Sequence, residues 1–283
     1  MPKRPPRKAK KTGTSAPIQL PDPHMIASLL AKFGGGPHEN AIDAAQDIIY
    51  DAWDSSDKKR RIALAKKALE ISPLCADAYV LLAQETARNL DEAIDIYRQG
   101  VEAGEKALGK VAFREDVGHF WGLLETRPYM RACHGLAQTL WDKGLRDEAV
   151  THYKDMLRLN PNDNQGIRYL LMDCLLILGR DGEAATLFKR YKDDGSAAWS
   201  WSHALLAFRR SGDCPVSRSA LSQAIGDNTH VAALLLGDKK MPRQLPAYIG
   251  MGDKSEAVAY VHGAAAAWAA TPGALVWLKT FQP

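Results

Sequence analysis

Apolar side chains recur at helical spacing along most of this 283-residue chain. Ile42, Ala45, Ile48, Ile49 and Trp53 fall on one face of a helix that Asn40 is placed to cap. Ile62, Ala65, Ala68, Leu69 and Ile71 line the next helix, which Asp57 opens and Ser72-Pro73 ends. Further along, Leu136, Ala137, Leu140, Tyr153, Leu171, Leu175, Ala184 and Phe188 hold the same spacing and are expected to form the core between helices. Ahead of these, Pro21-Asp22-Pro23 breaks the chain, Met25–Phe33 predicts a short helix, and Gly34-Gly35-Gly36-Pro37 acts as a flexible joint. No segment alternates apolar and polar residues over strand length, so the pattern predicts an all-α protein.

The helices come in pairs with a period. Leu136-Ala137, Gly144, Ala149, Tyr153 and Pro161 are followed by Leu171, Gly179, Ala184 and Phe188; Gly144 recurs as Gly179 and Ala149 as Ala184, each 35 residues on. These landmarks resemble the tetratricopeptide repeat, a helix–turn–helix unit of about 34 residues whose neighbours stack into a solenoid. The resemblance runs over residues 39–270 and is strongest at 128–192. It implies a right-handed superhelical solenoid of about six helix pairs within residues 24–283, ending in a C-terminal capping helix at Ala274–Phe281. Ala68 and Pro73 mark a degenerate first copy; Tyr79, Leu82-Ala83, Asp91-Glu92-Ala93 and Tyr97 mark a second with a shortened turn. Trp201, Phe208, Gly212, Ala220 and Ala224 make a fifth. Val231–Leu236, Tyr248, Gly252 and Glu256-Ala257 make a looser sixth. The period breaks once, between Ala93 and Ala149. The surplus near 104–127 carries a dense run of aromatic and charged residues, and insertions in such arrays often sit on the binding face.

Charge changes the picture only at the start of the chain. The formal net charge is +4, from 37 basic and 33 acidic residues. Lys3, Arg4, Arg7, Lys8, Lys10 and Lys11 all precede the first acidic residue, Asp22. Setting those 6 aside, 37 less 6 leaves 31 basic against 33 acidic residues, a slightly acidic body. Residues 1–23 are therefore expected to be a disordered basic tail, able to touch nucleic acid or simply to keep the chain solvated. No apolar stretch follows the basic run and none reaches 18 residues, which predicts a soluble, cytoplasmic protein without a membrane span. Cys75, Cys133, Cys174 and Cys214 form no C-x-x-C pair and read as packing residues.

Motifs for chemistry are missing: no phosphate loop, nucleophile elbow or H-E-x-x-H helix occurs in the chain. The reading is of a non-enzyme without cofactor or metal, a scaffold or adaptor for a protein or peptide. In tetratricopeptide repeats the first helix of each pair lines the concave face. The resemblance therefore implies a partner-binding row of Asp77, Gln84, Arg88, Arg131, His134, Gln138, Asp142, Tyr169, Asp173, Trp199 and Arg209. Beside it the insert contributes Arg127 and Trp121, the latter outside the repeat template and readable equally as an exposed anchor or as a plug for the gap the insert leaves. The segment His119–Arg131 would set selectivity. The Lys–Asn pair with which some such domains clamp a terminal carboxylate is missing, since Val80, Gln84, Arg131 and His134 stand there. Two alternatives remain: an enzyme or small-ligand site around Glu125, Arg127, Arg131 and His134, and nucleic-acid association through the tail. A narrower resemblance covers about 108–192. The run from His119-Phe120-Trp121-Gly122 to Pro128-Tyr129-Met130-Arg131, and that from Leu159-Asn160-Pro161 to Tyr169-Leu170-Leu171, is similar to the suppressor-of-tumorigenicity-seven family. That likeness implies a repeat protein and brings no catalytic motif with it. Members of that family often bear membrane-spanning segments, and no such run is present in this sequence.

Overall fold

The computed structural model describes residues 41–281. The expectations for the basic tail, the Met25–Phe33 helix, the Gly34–Pro37 joint and the Asn40 cap lie outside the described residues. Within them the chain is all-α, with thirteen helices and no strand. Five pairs follow one another: α1 (Ala41–Trp53) with α2 (Lys58–Ile71), α3 (Ala76–Thr86) with α4 (Leu90–Glu115), α5 (Arg127–Lys143) with α6 (Arg146–Leu159), α7 (Ile167–Ile177) with α8 (Asp181–Arg190), and α9 (Ala197–Ser211) with α10 (Pro215–Asp227). Three further helices close the chain: α11 (Val231–Leu235), α12 (Lys254–Ala270) and α13 (Ala274–Lys279).

Local chemistry sets the boundaries. Asp57 accepts from the Lys59 amide at 2.9 Å, and Asn89 accepts from the Glu92 amide at 2.9 Å, satisfying donors that a helix start leaves open. The Leu-Asn-Pro junction after α6 is built around a glycine cap. Gly166 takes the N-cap position with φ 80°, and Asp163 reaches over it to accept from the Ile167 and Arg168 amides at 2.7 and 2.8 Å. Gly144 ends α5 with φ 90° and Gly179 follows α7 with φ 67°, the left-handed backbone that lets the chain reverse between paired helices.

The expected core is in place: Leu136, Ala137, Leu140, Tyr153, Leu171, Leu175 and Ala184 are buried, and Phe188 is half-buried against them. All four cysteines are free thiols, three of them buried. First helices of successive pairs meet, α1 with α3, α3 with α5 and α7 with α9.

The insert extends α4 through a kink at Gly109 (φ 66°, ψ 172°) and then turns back onto the third pair. Its plug is Phe120, which is fully buried between Phe113 and Tyr129. The amides of Gly118 and Phe120 both donate to the Leu159 carbonyl, at 2.8 and 3.3 Å.

The C-terminal part departs from the expected sixth pair. α11 has only five residues, an irregular stretch follows, and α12 packs on α7 and α9 instead of extending the stack beyond α10. Gly263 explains why α12 can come so close to α7. A Cβ at that position would collide with the Asp173 carboxylate.

Candidate functional site

The thirteen residues expected to line the groove separate into three groups. The first is locked inside the protein. Asp77 is fully buried, and the Arg131 guanidinium donates from Nε to its Oδ1 at 2.8 Å and from Nη2 to its Oδ2. Gln46 Nε2 donates to the same carboxylate at 2.9 Å, and the guanidinium lies 5.2 Å from the Trp53 ring centre. Asp77 and Arg131 therefore staple α3 to α5 and are not open to a ligand. Trp199 is buried against Tyr169, Phe188 and Tyr191, which corrects its expected place on an open face. Arg209 is closed as well: it donates to the carbonyls of Leu176 (2.6 Å) and Ala267 (2.9 Å), to Thr271 Oγ1 (2.7 Å) and to Asp181 (3.2 Å), tying α7, α9 and α12 together.

The second group stays at the surface of the second and third pairs. Gln84 and Arg88 are exposed, and Arg88 pairs with Glu92 one turn on. Gln138 donates to the exposed Asp142 at 3.2 Å. Trp121 is half-buried; its carbonyl accepts from Arg127 Nε at 2.9 Å, and that guanidinium stands 5.6 Å from its ring centre. His134 is half-buried, which pushes its imidazole below the usual histidine range. The four residues of the alternative enzyme reading do not converge: Glu125 is exposed, Arg127 serves Trp121, Arg131 serves Asp77, and His134 is set apart by burial. Among the described residues no group of three or more His, Cys, Asp or Glu side chains is placed to hold a metal ion.

The third group, Tyr169 and Asp173, opens onto a cavity of about 970 Å³ where the start of α7, the turn between α8 and α9, and α12 meet. Its polar wall is tightly organised. Arg168 donates to Asp194 (Nε to Oδ2, 2.6 Å), to the Asp163 carboxylate (3.0 Å) and to the Tyr169 hydroxyl (2.6 Å), and that hydroxyl donates to Asp194 at 2.8 Å. Burial works against the charge on Asp194, but donors from Ser196, Arg168 and Tyr169 outweigh it and hold the carboxyl below the ordinary range. Glu256 of α12 accepts from the Ala197 amide at the start of α9 (2.9 Å), the Gly252 amide (2.7 Å) and Asn228 (3.1 Å). Asp173 has no such support. It is largely buried, faces Gly263 of α12, and burial pushes its carboxyl up to about 7. The other open acceptor on the wall is the side-chain carbonyl of Gln165, which has no hydrogen-bond partner among the described residues. Leu170, Ala198 and Ala259 supply the apolar lining, and Ile249 and Met251 stand at the mouth, both largely exposed.

Sequence reasoning missed Arg168, Asp194, Gln165 and Glu256. Glu256 carried a local sign, standing three residues after Asp253 where a helix-start carboxylate often does. Its use as a staple to α9 depends on the return of α12. Asp77 and Arg131 had a plainer sign: Leu82-Ala83 follows Asp77 by five residues, as Leu136-Ala137 follows Arg131. Opposite charges at one template position in adjacent copies sit side by side.

The family model for the ST7 protein matches residues 38–282. The chain belongs to the ST7 protein family. Similar ST7 proteins include the Protein ST7 homolog of Caenorhabditis elegans, 28% identical with 85% of this chain and 52% of that protein covered. The Suppressor of tumorigenicity 7 protein-like of Gallus gallus is 27% identical, with 86% and 48% covered. The Suppressor of tumorigenicity 7 protein of Rattus norvegicus is 27% identical, with 84% and 50% covered. The chain thus spans about half the length of the curated ST7 relatives it matches. Among solved structures, the crystal structure of YrrB, described as a TPR protein with an unusual peptide-binding site, is similar with a TM-score of 0.47 and 19% identity over 72% of this chain and 92% of that one. No helix of this ST7-family chain, among the described residues, is long and apolar enough to cross a membrane.

Proposed function

We propose that this chain is a protein-interaction scaffold that receives a segment of a partner protein in the cavity at the α7–α9–α12 junction. The observation that carries this reading is the cavity itself. Its volume is about 970 Å³, its lining is mostly apolar with a few fixed polar groups, and apolar Ile249 and Met251 stand exposed at its mouth. Such a combination suits an inserted side chain or short segment. The expected open groove is a poorer candidate, because α12 covers the first helices of the fourth and fifth pairs and Asp77 and Arg131 close on each other further up. Photo-crosslinking tests the reading: a benzophenone side chain placed at Met251 should capture a defined partner segment, while one placed at exposed Thr186 on α8 should not. Equal capture from both positions, or none from Met251, would overturn it.

A further inference from the structure

All but one of the charged groups organised into the inner wall of this cavity are already satisfied from within the protein. Arg168 is shared between Asp163 and Asp194, Arg190 donates to the Leu157 carbonyl at 3.0 Å, and Glu256 accepts three hydrogen bonds. The wall then has two unmet needs, and both are acceptors: the Gln165 carbonyl oxygen, buried with no hydrogen-bond partner among the described residues, and the largely buried Asp173 carboxylate, on which burial acts with no donor or cation to offset it. No buried donor on the lining is left over to balance them. An isolated carboxylate out of water is costly until a cation or a donor reaches it. Leu170, Ala198 and Ala259 line the same cavity, and they offer nothing to a polar chain and good contact to a hydrocarbon one. Tyr169 and Tyr260 add aromatic rings to the lining. An occupant that fits both halves is a long apolar stem with a positive head.

We propose that the cavity selects a basic side chain of the partner segment, an arginine or lysine whose stem lies along Leu170, Ala198 and Ala259 and whose head meets Asp173. The Gln165 carbonyl accepts an N–H from the same segment. This rests on the reading of the cavity as the partner site and adds the chemistry by which the partner is chosen. An acidic segment is disfavoured, since Asp173, Asp193 and Asp194 all border the same space.

Fluorescence anisotropy on the full chain tests it, with fluorescein-linked acetylated pentapeptides of alanine carrying arginine, lysine, citrulline or glutamate at the centre. Citrulline keeps the length of arginine and lacks its charge. The arginine and lysine peptides are expected to bind at least about tenfold more tightly than the citrulline peptide, and the glutamate peptide not to bind. Asp173→Asn should erase the advantage of the cationic peptides. Ala259→Trp, which fills the cavity and leaves the carboxylate in place, should abolish binding of all of them; circular dichroism shows that each variant keeps its helices. Equal affinity for arginine and citrulline, unchanged binding by Asp173→Asn, or no saturable binding of either cationic peptide would overturn the inference. Free agmatine distinguishes the source of the cation: binding of agmatine without binding of the peptides assigns the site to a small amine and overturns the side-chain proposal. Crosslinking from Met251 that persists with no preference for charge sinks this inference alone. A charge preference without any crosslink sinks the scaffold reading instead.

Discussion

Arg131 directs Nε and Nη2 at one buried carboxylate, and that geometry decides what its replacement does. Arg131→Ala leaves Asp77 fully buried with only Gln46 as a donor. Orphaning one member of a buried ion pair costs about 3–5 kcal/mol, so urea denaturation should show a loss of that size whether or not a partner is present. Combining Arg131→Met with Asp77→Asn should recover most of it, because the remaining amide needs no counter-charge. Asp173 behaves in the opposite sense. Its carboxyl is raised to about 7 from an ordinary value near 3.9, so the folded state holds a proton that the unfolded chain releases. The contribution of Asp173 to stability is then greatest at acid pH and falls as pH climbs from about 4 towards about 7. The surroundings do not counter this: α12 faces the group with Gly263 and the hydroxyl-bearing Tyr260 and brings no cation. Asp173→Asn is therefore expected to melt higher than the natural chain at pH 8 and to differ little near pH 4, which a pair of melting curves would check.

Between elements, the close approach of α4 to α5 depends on Gly135. A Cβ there would stand 2.8 Å from Cδ1 of the buried Tyr97 ring and nearer still to Cε1. Gly135→Ala recovers about 1 kcal/mol of helix propensity, but overpacking of a buried ring costs about 1–3 kcal/mol, and contact this short lies at the upper end. A lowered melting temperature is expected, and an unchanged or raised one would show that α4 moves aside freely. The pairing of elements was largely legible in the sequence, because Gly144, Gly179, Asp57 and Ser72-Pro73 act within a turn or two of where they stand. The insert was legible as a break in period, and the sealing of the third pair by Phe120 was not. The return of α12 was not legible. It depends on a glycine about ninety residues from the carboxylate it clears, and nothing in the local pattern of Lys254–Ala270 distinguishes that helix from one more member of a stack. The same contact hid most of the candidate site, since Glu256 and Tyr260 join Tyr169 and Asp173 only through it.

At the scale of the molecule, the buried side chains among the described residues fall into three clusters. One spans α1 to α3, a second lies between α3 and α6, and the largest joins α5 and its insert to the C-terminal helices. A regular solenoid is held by nearest-neighbour contacts alone, but α12 links the fourth and fifth pairs to a distant part of the chain. Ending the chain after Leu236 removes Tyr260, Val261, Ala264, Ala267 and Trp268, all buried, and uncovers Trp201 opposite Trp268. Such a truncated protein should bind a hydrophobic dye strongly and self-associate on size-exclusion chromatography. A monomeric, dye-silent product would mean that the first five pairs stand without α12.

That long-range closure also sets a timetable for the newborn chain. On the ribosome α7 and α9 are complete well before α12 leaves the exit tunnel, at about 5–20 residues per second. Through that interval the inner surface of the fourth and fifth pairs lacks its cover, with Trp201 and Asp173 deprived of their α12 neighbours Trp268 and Gly263. Folding of this half of the molecule therefore waits for α12 to emerge, and a waiting apolar surface of this kind is where a nascent-chain chaperone binds.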